Sequence, residues 1–113
     1  MIDAPAHEGL APVPLDWRDA EGEWAGRIAE AAGASRVERA TRPKPQPRGY
    51  YRITATADGA VRFGKVVAAA DLPRQWAAQQ LSDRAAAAGV PAQRSVAGPI
   101  PIGEGFTLLL SEW

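Results

Sequence analysis

The chain has 113 residues, of which 13 are basic and 13 acidic, so its formal net charge is zero and its length fits one domain. Hydrophobic residues make up 46% of the sequence and charged residues 23%, which is typical of a globular protein with one modest core and excludes a disordered chain. There is no cysteine and a single histidine, His7. This composition excludes disulfides, a cysteine nucleophile, and metal sites built on thiolates or on several histidines.

Residues 1–14 contain three prolines and show neither a helical nor an alternating pattern. We therefore expect an extended lead-in, with a solvated His7, before a single domain over 15–113. The N-terminal residues lack the basic and apolar regions of a signal peptide, and no apolar run reaches the roughly 18 residues that span a bilayer. These observations predict a cytoplasmic protein with no membrane partner.

A first helix is predicted over 16–32. Asp16 can cap its start and Gly33 can end it. Between them, apolar residues recur every three or four positions, at Trp17, Ala20, Trp24, Ile28 and Ala31. The two tryptophans on this stripe favour a packing face over a ligand site.

The stretch from Arg36 to Arg52 is strongly cationic, with six basic side chains and one acid, Glu38. It begins with a short predicted strand over 37–41. Alternating prolines in 42–49 then predict a stiff, polyproline-like loop, which we favour over a ligand for an SH3-type domain. Because the whole chain is neutral and the stretch has no array of stacking aromatics, we do not expect nucleic-acid binding.

A β-hairpin is predicted over 50–67, because two segments rich in aromatic and β-branched residues flank a turn at Asp58-Gly59. On its second strand, alternation places Lys65 on the same side as Val61, Phe63 and Val67. Two interpretations remain open for this lysine. Its ammonium can reach water at the sheet edge, or it can project into a cleft that holds a polyphosphate.

A long helix over 73–88 follows, opened by Leu72-Pro73 and apolar on the side of Trp76. Strands over 93–97 and 106–112 are predicted after it, joined by a turn-rich insert over 98–105. The predicted fold is α+β. It is an antiparallel sheet of four to five strands, with the long helix packed on it and the N-terminal helix at its edge.

From about Tyr50 to Trp113, the sequence resembles the N-terminal lobe of the aminoglycoside phosphotransferase and choline kinase-like family, relatives of the protein kinases. The segment YYRITATADG resembles the second strand and turn of that lobe, and VRFGKVV resembles its third strand. The segment AAAAGVPA resembles the end of the following helix, and FTLLLSEW resembles the fifth strand leading to the hinge. The resemblance implies a protein-kinase-like lobe that binds ATP.

The resemblance also implies roles for individual residues. Lys65 would pair with the α- and β-phosphates of ATP, and Gln79 would orient it from the helix, where the family has a glutamate. Phe63 would stand over the adenine, where the family keeps a smaller side chain. The backbone at Ser111, Glu112 and Trp113 would lie beside the adenine.

Two departures from the family pattern bear on activity. Residues 42–49 replace the glycine-rich phosphate loop, and no segment resembles the His-Gly-Asp of the C-terminal lobe, which carries the catalytic aspartate and the Mg ligands. The resemblance thus implies no catalytic residue and no metal ligand in this chain, which would be inactive alone. A C-terminal kinase lobe, another protein or a second copy would bind its apolar cleft face. The alternative function is a non-catalytic protein-interaction domain.

Overall fold

The computed structural model describes residues 16–40 and 45–113, and these residues form one six-stranded antiparallel sheet with two α-helices. The strands are β1 (Trp17–Asp19), β2 (Ala34–Ala40), β3 (Gly49–Thr56), β4 (Arg62–Ala68), β5 (Ile100–Gly103) and β6 (Phe106–Glu112). The helices are α1 (Glu23–Ala32) and α2 (Leu72–Ala87), the latter preceded by a 3-10 turn over Ala69–Asp71. The strand order is β1-β2-β3-β4-β6-β5. The α+β class is confirmed, and the predicted number of strands was too low.

The core lies between α1 and one face of the sheet. Helix α1 packs against β2, β3, β5 and β6, so it crosses this face and does not lie at the sheet edge as predicted. Side chains alternate along a strand, and every second residue of the central strands therefore points toward α1. The buried cluster consists of Ile28, Val37, Tyr51, Ile53, Val66, Ile102, Leu108 and Leu110.

The N-terminal part of the predicted first helix is a strand instead. Trp17 pairs with Ala40 at the edge of the sheet, and α1 begins only after Gly22, whose φ of 99° departs from helical geometry. The two apolar residues before Gly22, Trp17 and Ala20, are three positions apart and so fit a helix, but pairing of residues 17–19 with β2 forms a strand instead. The predicted end of the helix is confirmed, because Gly33 adopts the left-handed conformation there.

The hairpin is confirmed, with β3 and β4 paired antiparallel around Asp58-Gly59. The amide of Gly59 donates to the carbonyl of Thr56 at 3.0 Å. The Asp58 carboxylate accepts from the Thr56 hydroxyl at 2.7 Å and from the Ala60 amide at 3.1 Å. These hydrogen bonds, the one from Thr56 first, hold the pKa of Asp58 below its usual value. The turn sequence thus stabilises its own geometry.

Helix α2 occupies the predicted position, but it contributes no buried residue to the core. Leu81 on its outer side is 61% exposed. None of the helices in the described part of the chain is long and apolar enough to cross a membrane.

Strand β5 lies where the sequence predicted a linking insert. Ile100 and Ile102 flank Pro101, and Ile102 is buried. Strand β5 lies at the edge of the sheet, and an edge strand accepts a proline because one of its sides needs no backbone donor. The segment predicted as a strand over 93–97 makes only an isolated bridge, between Ser95 and Ser111.

The proline-rich loop is described only in part. Residues 45–48 form a turn and not the predicted polyproline-like extension, since the Arg48 amide donates to the Pro45 carbonyl at 3.0 Å. The Tyr51 hydroxyl donates to the Pro47 carbonyl at 2.6 Å and fixes this turn against the sheet. The lead-in over 1–14, His7 and residues 41–44 lie outside the described residues.

Candidate functional site

The face of the sheet opposite α1 carries Phe63 and Lys65, which the sequence singled out. Phe63 lies opposite Arg52 on β3 and Ser111 on β6, and Lys65 lies opposite Tyr50 and Leu109. Their neighbours Gly64 and Val66 are buried on the α1 side. The alternation predicted for Phe63 and Lys65 is therefore present, and it directs Lys65 toward α2.

Lys65 is half-buried and bridges the sheet to α2. Its Nζ donates to Oε1 of Gln75 at 2.5 Å and lies 5.8 Å from the centre of the Tyr50 ring. The predicted partner, Gln79, lies one turn further along α2 and donates instead to Oδ1 of Asp83 at 3.0 Å and to the Gln93 carbonyl at 3.1 Å. The resemblance placed the residue that orients Lys65 on the correct helix, but at Gln79, one turn beyond Gln75, the residue that Lys65 contacts.

Two cavities meet at Lys65. The helix–sheet cleft, of about 330 Å³, is lined by Tyr50, Phe63, Lys65, Gln75, Ala78, Gln79, Ser82, Gln93, Leu109 and Ser111. The cationic cavity, of about 140 Å³, is lined by Arg48, Gly49, Tyr50, Lys65, Val66, Val67, Asp71, Arg74 and Gln75. The first offers aromatic, apolar and amide groups, and the second has three cations and one acid. Together they suit a ligand with a flat uncharged part and an anionic part.

A polar network closes the far end of the helix–sheet cleft. Asp83 accepts from the Ser95 hydroxyl at 2.5 Å and from the Ser95 amide at 2.7 Å. These two hydrogen bonds, the hydroxyl's first, hold the pKa of Asp83 below its usual value. The Ser82 hydroxyl donates to the Gln93 carbonyl at 2.7 Å. The network fastens the segment after α2 to the helix and takes the place of the strand predicted there.

The segment after α2 also forms hydrogen bonds with the backbone at the end of β6. The Glu112 amide donates to the Arg94 carbonyl at 2.8 Å, and the Glu112 carbonyl accepts from Nε2 of Gln93 at 2.9 Å. Ser111 is buried beside Phe63 and lines the helix–sheet cleft. Both backbone polar groups of Glu112 thus have partners within the chain, and its amide hydrogen could reach adenine only by leaving the Arg94 carbonyl.

Four aromatic rings form a continuous row on this face. Ring centres are 5.6 Å apart for Trp17 and Trp113, 6.3 Å for Trp113 and Phe63, and 5.5 Å for Phe63 and Tyr50. The Arg52 guanidinium lies 5.6 Å and 5.7 Å from the two tryptophan ring centres. The aromatic row was not predicted from the sequence, because the rings come from four separate parts of the chain and meet only through strand pairing.

Arg52 is held in place by a buried acid. Its Nε donates to Oε1 of Glu38 at 2.8 Å, and Glu38 is 8% exposed. The two residues are cross-strand partners on β2 and β3. This ion pair sets the guanidinium between the tryptophans and neutralises the one acid of the cationic stretch.

Neither a metal site in the described residues nor a match to a known protein guides the assignment of function. No group of three or more His, Asp or Glu side chains in 16–40 and 45–113 is arranged to hold a metal ion. The chain matches no protein-family model, and neither the curated proteins nor the solved structures contain a match to it. The function must therefore be inferred from the geometry of the two cavities and the aromatic row.

Proposed function

We propose that the chain is the nucleotide-binding lobe of an ATP-dependent small-molecule phosphotransferase, of the family that its sequence resembles. The observation that carries the proposal is the bridge from Lys65 on β4 to Gln75 on α2, with the helix–sheet cleft on one side and the cationic cavity on the other. In kinases, a strand lysine positioned by a helix residue holds the phosphates of ATP.

The order of the elements supports this assignment. Strands β3 and β4, helix α2, and strands β5 and β6 follow one another as the resembled lobe has its second and third strands, its helix, and its fourth and fifth strands. Strand β6 pairs with β4, which brings Ser111 directly beside Phe63. The chain end expected to serve as the hinge therefore borders the same cleft as Lys65.

The two cavities suit the two parts of a nucleoside triphosphate, the base and the phosphates. Arg48, Lys65 and Arg74 surround the cationic cavity, where phosphates would bind, and Phe63 and Tyr50 offer ring faces for a base in the helix–sheet cleft. Bound ATP would supply the phosphoryl group for transfer. The catalytic aspartate and the Mg ligands would come from a C-terminal lobe, as the resemblance implies.

Gln75 gives the site its electrostatic character. As a neutral amide, it accepts a hydrogen bond from Lys65 without offsetting the ammonium charge. Arg74 is paired with Asp71 at 3.4 Å, so most of the positive charge of the cationic cavity remains available to an anion. The arrangement favours phosphate binding even without a glycine-rich loop.

Titration of the chain with ATP, followed by amide NMR spectra, tests the proposal. We expect a dissociation constant of roughly 1 mM or weaker, because only one wall of a cleft encloses the ligand. Shifts should cluster at Phe63, Lys65 and Gln75, and Lys65→Met should abolish them. Arg84→Met is the matched control, since it removes an exposed cation of α2 that lines neither cavity. Absent shifts, or shifts that survive Lys65→Met, would contradict the proposal.

The alternative is a non-catalytic protein-interaction domain, and the aromatic row favours it. Trp113 is 55% exposed and contacts two other rings, those of Trp17 and Phe63. The three rings form an apolar patch of the kind that proteins bury against a partner. Sedimentation equilibrium separates the two functions. Self-association that Trp113→Ser abolishes, together with no ATP-dependent shifts, would favour the interaction domain.

A further inference from the structure

The aromatic row lies on the face of the sheet that α1 leaves open, and ATP binding does not account for all of it. Of its four rings, Tyr50 and Phe63 line the helix–sheet cleft, whereas Trp17 and Trp113 line neither cavity. The sequence predicted no nucleic-acid binding partly because no array of stacking rings accompanies the cationic stretch. Strand pairing supplies such an array from other parts of the chain, so that reason no longer holds.

The positions of the rings suit a ligand with at least two linked flat groups. Trp113 is 55% exposed, and its ring centre lies 6.3 Å from that of Phe63 at an angle of 49° between the ring planes. One base can stack on Trp113 outside the cleft while the next base enters the cleft beside Phe63. A mononucleotide can use only one of these two positions, whereas a single-stranded nucleic acid can use both.

The acids on this face are already neutralised. Strand pairing places two carboxylates here, those of Asp19 and Glu38, in register with Arg52 and Phe63. Asp19 accepts from Arg36 at 2.9 Å, and Glu38 accepts from Arg52 at 2.8 Å. Neither carboxylate therefore leaves an unbalanced negative charge beside the rings to repel a phosphate.

Positive charge remains at the Tyr50 end of the aromatic row. Nζ of Lys65 lies 5.8 Å from the centre of the Tyr50 ring and donates to the neutral amide of Gln75. Arg48 lines the cationic cavity with Lys65 and forms no ion pair within the described ranges, 16–40 and 45–113. The row thus leads from exposed rings to uncompensated cations. Phosphates that link bases stacked on the row would meet this charge, although the whole chain is neutral.

Hydrogen-bonding groups in the helix–sheet cleft favour RNA over DNA. The Ser111 hydroxyl and the Oε1 atoms of Gln79 and Gln93 belong to residues that line the cleft, and none of the three has a hydrogen-bond partner in the described part of the chain. The two amide oxygens accept hydrogen bonds only, so they favour a ligand that brings donors. Each nucleotide of RNA carries a 2′-hydroxyl that can donate to such an oxygen, and DNA lacks this group.

From these observations we infer that the aromatic row, together with the cationic cavity, binds single-stranded RNA. One base stacks on Trp113, the next lies beside Phe63 in the cleft, and a phosphate meets Lys65. This activity goes beyond the proposed function and does not rest on it, because the Trp113 side chain lines neither of the cavities assigned to ATP. A protein that covers the same rings is the rival occupant. RNA is favoured because the row leads to unpaired cations, which a polyanion would neutralise.

Fluorescence anisotropy of labelled octamers, titrated with the whole chain at low salt, tests the inference. Octauridylate is the probe, its deoxy counterpart lacks only the 2′-hydroxyls, and an abasic ribose-phosphate octamer lacks only the bases. We expect octauridylate to bind at least about fivefold more tightly than the abasic octamer, the lower end for one stacked base. It should bind at least about twofold more tightly than the deoxy octamer, the lower end for one hydrogen bond.

Two pairs of variants separate stacking from charge. Trp113→Leu should weaken octauridylate binding by at least about fivefold, and Trp76→Leu, which alters a tryptophan of α2 outside the row, should leave it unchanged. Lys65→Met should reduce the slope of log affinity against log salt by about 0.7, which corresponds to one phosphate contact. Arg84→Met removes an exposed cation that lines neither cavity and should leave the slope unchanged.

Four results would overturn the inference. Equal binding of octauridylate and the abasic octamer, or full binding by Trp113→Leu, would mean that the rings do not stack bases. Equal binding of the deoxy octamer would refute the assignment to RNA. The absence of binding at about 0.1 mM chain, the weak end of non-specific nucleic-acid binding, would refute the site itself. Self-association that Trp113→Leu abolishes would then assign the rings to a protein contact.

These outcomes are independent of the ATP titration and of variant folding. Shifts caused by ATP at Lys65, in a chain that does not bind octauridylate, would leave the proposed function standing. Octauridylate binding without such shifts would leave only the RNA site. The comparison of the three octamers uses the unaltered chain, so it holds even if a variant fails to fold.

Discussion

A single methyl group added at Gly64 should disturb the packing of the core. It lies on β4 between Phe63 and Lys65 and faces the α1 side of the sheet. A Cβ atom added there would lie 2.9 Å from Cδ1 of Ile53 and 3.1 Å from Cδ1 of Leu108, against an ordinary carbon–carbon contact of about 3.5–4.0 Å. Both neighbours are fully buried, so each must move by roughly half an ångström or more in a packed core.

The magnitude follows from two opposing terms. Overpacking a core by one methyl costs about 1–3 kcal/mol, and replacing glycine by alanine lowers the entropy of the unfolded chain by an amount worth about 0.4–1 kcal/mol. Gly64→Ala should therefore lower the free energy of unfolding by about 1 kcal/mol. With a urea m-value of about 1–1.5 kcal/mol/M, the midpoint should fall by roughly 0.7–1 M at unchanged m.

Gly26→Ala provides the matched control, because it makes the same chemical change in α1 with no atom within 4 Å of the added Cβ. It should raise the free energy of unfolding by about 0.5–1 kcal/mol, as alanine favours a helix interior over glycine. Urea denaturation followed by circular dichroism measures both variants. If Gly64→Ala proved as stable as Gly26→Ala, the close packing of β4 against the α1 side would be refuted.

Four further substitutions test the described contacts. Ile28→Ala should cost about 2–5 kcal/mol of unfolding free energy by urea denaturation, because this side chain of α1 is fully buried against the sheet, and a loss below about 1 kcal/mol would contradict that position. Asp83→Asn should cost about 1 kcal/mol at pH 7. Because the folded-state pKa of Asp83 is lowered, the contribution of its carboxylate to stability is present above about pH 4 and disappears as the pH falls through the folded pKa. A stability difference between Asp83→Asn and the unaltered chain that persists at low pH would refute the contact between Asp83 and Ser95. Gln75→Glu should add up to about 1 kcal/mol by pairing with Lys65, and this gain should shrink in 1 M salt. Gln79→Glu should destabilise, since it brings a second carboxylate to Asp83, and equal effects of these two glutamates would show that the partner of Lys65 is misassigned.

The elements that the sequence predicted correctly are those fixed by neighbouring residues. Asp58-Gly59 forms its turn with partners no more than four residues away, and alternation along β4 then orients Phe63 and Lys65. The end of α1 at Gly33 likewise depends on one residue that accepts a left-handed backbone. Features of this kind depend only on nearby residues, so they can be predicted without knowing the rest of the fold.

The elements that the sequence did not predict depend on pairing across long separations. Trp17 belongs to a strand because β2 offers an edge at Ala40, and nothing near Trp17 indicates that edge. The Ser95–Asp83 contact holds its segment to α2 by side chains in place of a strand ladder. The aromatic row arises in the same way. Four rings from different elements come together only after the register of the sheet has been set.

The charge of the cationic cavity bears on which of the two interpretations of Lys65 is preferable. A lysine that only needed to reach water would keep its ammonium fully solvated, whereas this one is half-buried and donates to a neutral amide. Arg48 and Arg74 line the same small cavity as Lys65, and like charges that share a cavity repel one another. Asp71 relieves part of this repulsion through Arg74. An anion bound between Lys65 and Arg48 would relieve the rest of the repulsion, so the ligand that the proposed function requires would stabilise the folded chain. Added phosphate or tripolyphosphate should therefore raise the unfolding temperature of the chain but not that of Lys65→Met.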